Sequence, residues 1–301
     1  MRTPALLLFL GNSATLFAQT LCVTPSADPV DQPAFAPDFI SRSRITSIGG
    51  RAAVKREQEP IRDLDTRYLY RFDRDGRTIY RNTSFGHPGS GLDTASVVST
   101  FNERGLVVQE LHNDLNGFYA VETVYDSLDR PERRSYVRIV NQGPDRYHFV
   151  PGDRNVISDE RFQYRNMSDS VRIRVHLNDL GLPYREETST YDTWGYLRKV
   201  EDHYLVTGRR SRTEFRYNEK GRLAERTEQL DLSVSHVVRR TFQYDAAGDL
   251  MAMDEYHDQQ HVAHEEYLYE EGTMFLKARL RREMSTGTIH LVRYSTERDA
   301  G

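Results

Sequence analysis

The chain has 301 residues, with 45 acidic against 41 basic side chains and a formal net charge of −4. Charges of both signs are mixed along its length, which leaves no basic stripe for a nucleic-acid backbone, and the mean hydropathy of −0.70 leaves little material for a thick aliphatic core. Cys22 is the only cysteine, so no intrachain disulfide can form.

Residues 1–18 read as a secretory signal. Arg2 supplies the positive end, Ala5-Leu6-Leu7-Leu8-Phe9-Leu10 the apolar run, and Ala18 a small residue at the cleavage position. Gly11-Asn12-Ser13 break the run far short of the roughly 20 residues a spanning helix needs, and no later run could span a bilayer. The mature chain is therefore expected to be exported to the periplasm, the outer surface or the medium. Cys22 offers an alternative as a lipid-attachment site, although Gln19-Thr20-Leu21 before it lack small residues.

Four prolines fall among the 14 residues from Thr24 to Pro37, the composition of an extended linker. Residues 38–65 are charged and leave a short helix and an irregular strand both open. Residues 19–65 are thus read as a proline-rich linker with an irregular N-terminal segment.

Residues 66–301 carry an internal repeat. Clear copies are Thr188–Tyr204, Thr213–Leu230 and Arg240–Tyr256, with earlier ones at Tyr70–Asn82, Ser99–Leu111 and Thr123–Tyr136. A degenerate copy spans Glu265–Leu280. Each centres on an aromatic followed by Asp or Asn, with Gly four residues after the aromatic in most. The anchors Tyr191, Tyr217, Tyr244, Tyr269 and Tyr294 are separated by 26, 27, 25 and 25 residues.

The unit has a plain chemical reading. In Tyr217-Asn218-Glu219-Lys220-Gly221, Asn218 caps a type I turn through its side chain and Gly221 accepts the positive φ that closes a hairpin. Asp73/Gly76, Asn102/Gly105, Asp192/Gly195 and Asp245/Gly248 repeat the pairing, while Asp129 stands where Gly is expected after Tyr125-Asp126. Val238, Arg240, Phe242 and Tyr244 share one face of a period-two strand. An apolar residue six positions past the aromatic (Val107, Leu197, Leu223, Leu250 or Phe275) restarts the outgoing strand. The fold predicted is all-β: tandem antiparallel hairpins forming one long twisted or spiralling sheet. Stability should then be greatest from Tyr191 to Gly248 and should fray toward Tyr294, whose turn positions hold only Ser295 and Arg298.

Tyr244-Asp245-Ala246-Ala247-Gly248-Asp249-Leu250, with its kin at Tyr191–Leu197 and Tyr217–Leu223, resembles the YD repeat of RHS and teneurin-type proteins. The resemblance covers roughly residues 68–294. It implies a spiralling sheet, which in large members becomes a shell around a toxin. This chain has too few units for a closed shell and shows no self-cleaving core motif.

Catalytic signals are weak. His257, His261 and His264 are the densest histidine group, but the repeat puts Asp258-Gln259-Gln260 at a turn, so they are expected to be solvated rather than metal-bound. Glu186-Glu187, Asp202, Glu265-Glu266 and Glu270-Glu271 offer many carboxylate pairs, as any sheet this charged does. Asp63, Asp65, Asp73 and Asp75 suggest calcium, yet Arg74 and Arg77 interrupt them and later oxygen ligands are missing. Cys22 has no evident base. We therefore expect no catalytic residues, no cofactor and no metal. The function expected is an exported, non-catalytic binding or structural module that meets a glycan or protein surface through exposed tyrosines. A carbohydrate-active hydrolase on a β scaffold and a shell fragment of an RHS-like toxin-delivery system are the alternatives.

Overall fold

The structure, a computed structural model, describes residues 19–26, 33–85, 93–114, 117–144 and 149–299; the expected signal at 1–18 and part of the proline-rich stretch lie outside these. Strands β1 (Leu21–Cys22) and β2 (Ala34–Phe35) form a two-stranded sheet, followed by helix α1 (Pro37–Arg42). Residues 38–65 therefore contain both a helix and regular strand.

Eighteen strands follow in one antiparallel sheet among the described residues. They begin with β3 (Ile45–Lys55), β4 (Arg62–Phe72), β5 (Thr78–Phe85), β6 (Asp93–Phe101), β7 (Val107–Asp114) and β8 (Gly117–Tyr125). Next come β9 (Pro131–Asn141), β10 (Pro151–Ser168), β11 (Val171–Leu177), β12 (Pro183–Tyr191), β13 (Leu197–Tyr204) and β14 (Arg210–Tyr217). The last are β15 (Leu223–Gln229), β16 (Val238–Tyr244), β17 (Leu250–His257), β18 (Gln260–Tyr269), β19 (Leu276–Glu283) and β20 (Ile289–Arg298). Sequence neighbours pair throughout.

All-β antiparallel architecture is as expected, but the sheet is not an open spiral. β20 pairs with β3 from Ile289↔Lys55 to Arg298↔Ile45, and this closes the barrel. The physical reason is an extra strand ahead of the repeats. β3 supplies the partner that the C-terminal edge lacks, and closure removes both edges at once. Gly50 lies opposite Tyr68 on one side and Tyr294 on the other, and a Cβ there would meet Tyr294 at 3.2 Å. The open C-terminal edge from which fraying at Tyr294 was expected is absent, because β3 pairs with β20 along its whole length.

The turn chemistry holds. The side-chain oxygens of Asp73, Asn102, Asp126, Asn178, Asp192 and Asn218 each accept from backbone N–H groups two and four residues on. Gly and Asp129 at the closing positions take the positive φ that the turns require. The anchor tyrosines have a further role. Tyr217, Tyr244 and Tyr269 donate their hydroxyls to the carbonyls of Leu197, Leu223 and Leu250, at 2.8, 2.8 and 2.9 Å. Each ring thus stitches its own unit to the restart residue of the unit before.

α1 begins with Pro37 at its first position and Asp38 in its first turn, and it ends where Arg44 turns to positive φ. Its Phe39 and Ile40 are buried with Leu21, Phe35, Tyr70, Phe72, Leu250, Tyr267 and Leu276. Val23 reaches a second cluster at Val200, Phe215 and Leu223. One short segment touching strands from β13 round to β4 can do so only from the concave side. The N-terminal segment is therefore a plug at the turn end of the lumen.

Candidate functional site

Register assigns each strand residue to the lumen or the outer wall, because pairing partners share a face. Phe242, Arg240, Met253, Glu255, Glu265, Tyr267, Arg279 and Arg281 fall on the lumenal face. With the plug residues Leu21, Cys22, Val23, Thr24, Ser26, Pro33 and Ala34, and with Leu250, they enclose a cavity of about 600 Å³.

This cavity is divided chemically. Leu21, Val23, Phe242, Leu250 and Met253 make an apolar end beneath the plug. The other wall is a chain of alternating charge across β15 to β19. Arg226 lies 3.2 Å from Glu228, and Glu228 accepts from Arg240. Arg240 donates to Glu255 at 2.8 Å, and Arg281 donates to the other Glu255 oxygen at 3.1 Å. Arg281 and Arg279 each stand 3.7 Å from Glu265, which accepts the Tyr267 hydroxyl at 2.6 Å. Burial works to raise the Glu255 carboxyl, but Arg240 and Arg281 outweigh it and hold it below the usual carboxylate range. The Arg279 guanidinium is pushed up; burial opposes this, and Glu265 with the neighbouring tyrosines outweighs burial.

Cys22 forms part of the cavity wall, and burial pushes its thiol up to about 11. Burial thus disfavours the reactive thiolate in the folded state. At pH 8 folded protein should react with iodoacetamide on the order of 10²-fold more slowly than urea-unfolded protein, because the free thiol titrates near 8.5. Equal rates would mean that the plug is not seated.

The residues singled out in the sequence are dispersed. Glu187 pairs with Arg174 and Asp202 with Arg185. Glu270 accepts from Thr273 in a turn, and Asp73 caps its own hairpin while pairing with Arg77. His257 sits beside Glu255, whereas His261 and His264 lie together on the outer wall. Of the tyrosines, the anchors Tyr217, Tyr244 and Tyr269 have their hydroxyls engaged by backbone carbonyls, while Tyr136 and Tyr196 are exposed. The lumenal charge chain went unread because its pairs, such as Arg240 with Glu255 and Glu265 with Arg281, are cross-strand partners far apart in the sequence.

No protein-family profile matches the chain, and no curated protein does. Among solved structures it is similar to a porin-like protein from Bacteroides uniformis, at 10% identity and a TM-score of 0.38 over 85% of this chain and 97% of that one. It is similar also to a LolA superfamily protein, NE2245 from Nitrosomonas europaea, at 11% identity and a TM-score of 0.19 over 88% and 92%. A DUF1329 family protein from Desulfovibrio piger matches at 11% identity and a TM-score of 0.21, over the same shares. The chain is a closed barrel, not a YD-repeat spiral. Closure of the sheet overturns the spiralling-sheet resemblance that the Tyr-Asp-x-x-Gly-x-Leu units carry. The motif is the local chemistry of a tyrosine-stitched hairpin, which a barrel uses equally well. At such identities and TM-scores, function rests on the site itself.

Proposed function

We propose that this is an exported, non-catalytic binding protein that takes an amphiphile with an anionic head into the plugged end of its lumen. The observation that carries this reading is the divided cavity, apolar beneath the plug and lined on its other wall by three arginines against two glutamates. A tail would displace water from Phe242, Leu250 and Met253, while the head would meet the guanidinium excess. Catalysis is disfavoured because Glu255 and Glu265 each bridge arginines, and a general acid would need a carboxyl held neutral.

The outer wall supports a barrel that lives in water. Lys199, Glu201 and Arg212 form one ion-paired ladder there, and Arg216, Glu225 and Arg239 another. Each such cation on a lipid-facing wall would cost about 2–4 kcal/mol at mid-membrane. No helix among the described residues is long and apolar enough to cross a membrane.

The test uses a fluorescent dansyl-undecanoic acid and the mature chain. Saturable one-to-one binding is expected, displaced by lauric acid and far less by a neutral dodecyl glycoside. Met253→Trp, which fills the apolar end, should abolish it while leaving the circular dichroism spectrum unchanged. Absence of saturable binding, or equal binding by a folded Met253→Trp variant, would refute the reading.

A further inference from the structure

We infer that Asp254, His261 and His264 form a binding site for a divalent transition metal, zinc by chemistry, on the outer wall of the barrel. The site lies away from the lumen and does not depend on what the cavity holds.

A local irregularity builds it. In a regular strand, residues three apart point to opposite faces. Glu255 pairs with Ala263 and Tyr256 with His261, so Val262 is an extra residue in β18. This bulge turns His261 onto the face already shared by His264 and its cross-strand partner Asp254. Bulges re-aim side chains in this way, and they are over-represented beside functional sites.

The three donors converge. Nε2 of His261 lies 2.9 Å and Nδ1 of His264 lies 2.7 Å from the same Asp254 oxygen, Oδ1. All three ligand atoms fall within 4.8 Å of one another. Although His261 Nε2 is close to that oxygen, it is buried without a hydrogen bond. Two imidazoles crowding one carboxylate oxygen, one of them misaligned, suit co-ligation better than a hydrogen-bonded pair. Tetrahedral ligands about 2.0–2.1 Å from zinc stand roughly 3.3 Å apart, so each nitrogen would draw back from the Asp254 oxygen by only about half an ångström to accept the ion. Two nitrogens and one carboxylate oxygen leave a fourth position for water.

The surroundings already hold each ligand in place. Gln243 donates to the other oxygen of Asp254 at 2.8 Å. Nε2 of His264 faces Glu266 at 3.3 Å, the carboxylate–histidine pairing that orients metal-bound imidazoles. The Tyr256 ring stacks on His261 at 4.8 Å, with the Arg239 guanidinium 4.2 Å above its other side. Asp254 is nearly buried, while the two imidazoles are about a third exposed, which gives an ion access.

Mature chain stripped with EDTA and desalted should bind one zinc per chain by calorimetry with zinc chloride, and cobalt(II) should give the absorption of a tetrahedral site. His261→Ala and His264→Ala should lose stoichiometric binding, and Glu266→Gln should weaken it about 10–100-fold. His236→Ala, at a separate histidine–Asp258 pair, should bind as the parent does. To keep folding separate from binding, zinc should raise the parent's thermal midpoint and leave that of His261→Ala unmoved. Failure of the parent to take up one zinc, or equal uptake by parent and His261→Ala, overturns the assignment.

Discussion

Glu228→Ala is expected to lower the free energy of urea unfolding by up to about 3–5 kcal/mol, because it removes a carboxylate that stands beside two lumenal guanidinium groups, one of them buried. Arg226 is only 1% exposed and stands 3.2 Å from Glu228, which also accepts from Arg240. Replacing both partners, as in Glu228→Ala with Arg226→Met, should recover much of it, since an apolar pair in such a place is close to neutral. The outer-wall carboxylate Glu201, half-screened between Lys199 and Arg212, gives the contrast. Its alanine variant should cost under about 1 kcal/mol. Equal losses at Glu228 and Glu201 would mean that the lumenal charge chain is as wet as the exterior.

That contrast also explains what could be read in the sequence. Hairpins were legible because Asn218, Asp192 and Asp245 carry their turn instructions within five residues. The faces were legible wherever an aromatic anchor marked one, as at Phe242 and Tyr244. Closure was not, because β3 has no anchor: Ile45–Lys55 contains paired glycines and small residues, and its identity as a strand depends on partners some 240 residues away along the chain, at Ile289–Arg298. The low mean hydropathy suggested half-exposed sheets, whereas the lumen holds charges neutralised in pairs. Arg240 and Glu255 are cross-strand partners, a relation that spacing alone does not show.

The outer-wall cluster escaped for a narrower reason. Counting by twos separates His261 from His264, and the adjacent turn suggested solvated side chains. Only the bulge at Val262 places both imidazoles beside Asp254, and nothing in His261-Val262-Ala263-His264 marks a bulge by composition. A sequence argument can place residues on a strand, but a one-residue shift in pairing decides which of them meet.

Gly76→Ala should be the most damaging small substitution in the turns, with an expected loss of about 3 kcal/mol or more in urea unfolding. Two effects combine. Gly76 has φ +78, where a Cβ costs about 1–2 kcal/mol. That Cβ would also lie 2.0 Å from the carbonyl oxygen of Pro37 and 2.9 Å from the Ser41 nitrogen. These are backbone atoms of the plug, so no side chain can swing aside. Ser41 further ties α1 to this hairpin by donating to the Arg74 carbonyl at 2.7 Å. Relief requires α1 to lift, which uncovers Phe39 and Ile40, and loosening one such buried residue costs on the order of 2–5 kcal/mol. Gly208→Ala isolates the first effect: its φ is +69, but nothing lies within 4 Å of the new Cβ. It should cost only the backbone part, about 1–2 kcal/mol. A lifted plug should also expose Cys22, so alkylation of folded Gly76→Ala protein should accelerate toward the unfolded rate while Gly208→Ala keeps the slow one. Equal stability losses with no change in Cys22 reactivity would mean that the plug adapts to the added methyl, and that α1 is not held rigidly against this hairpin.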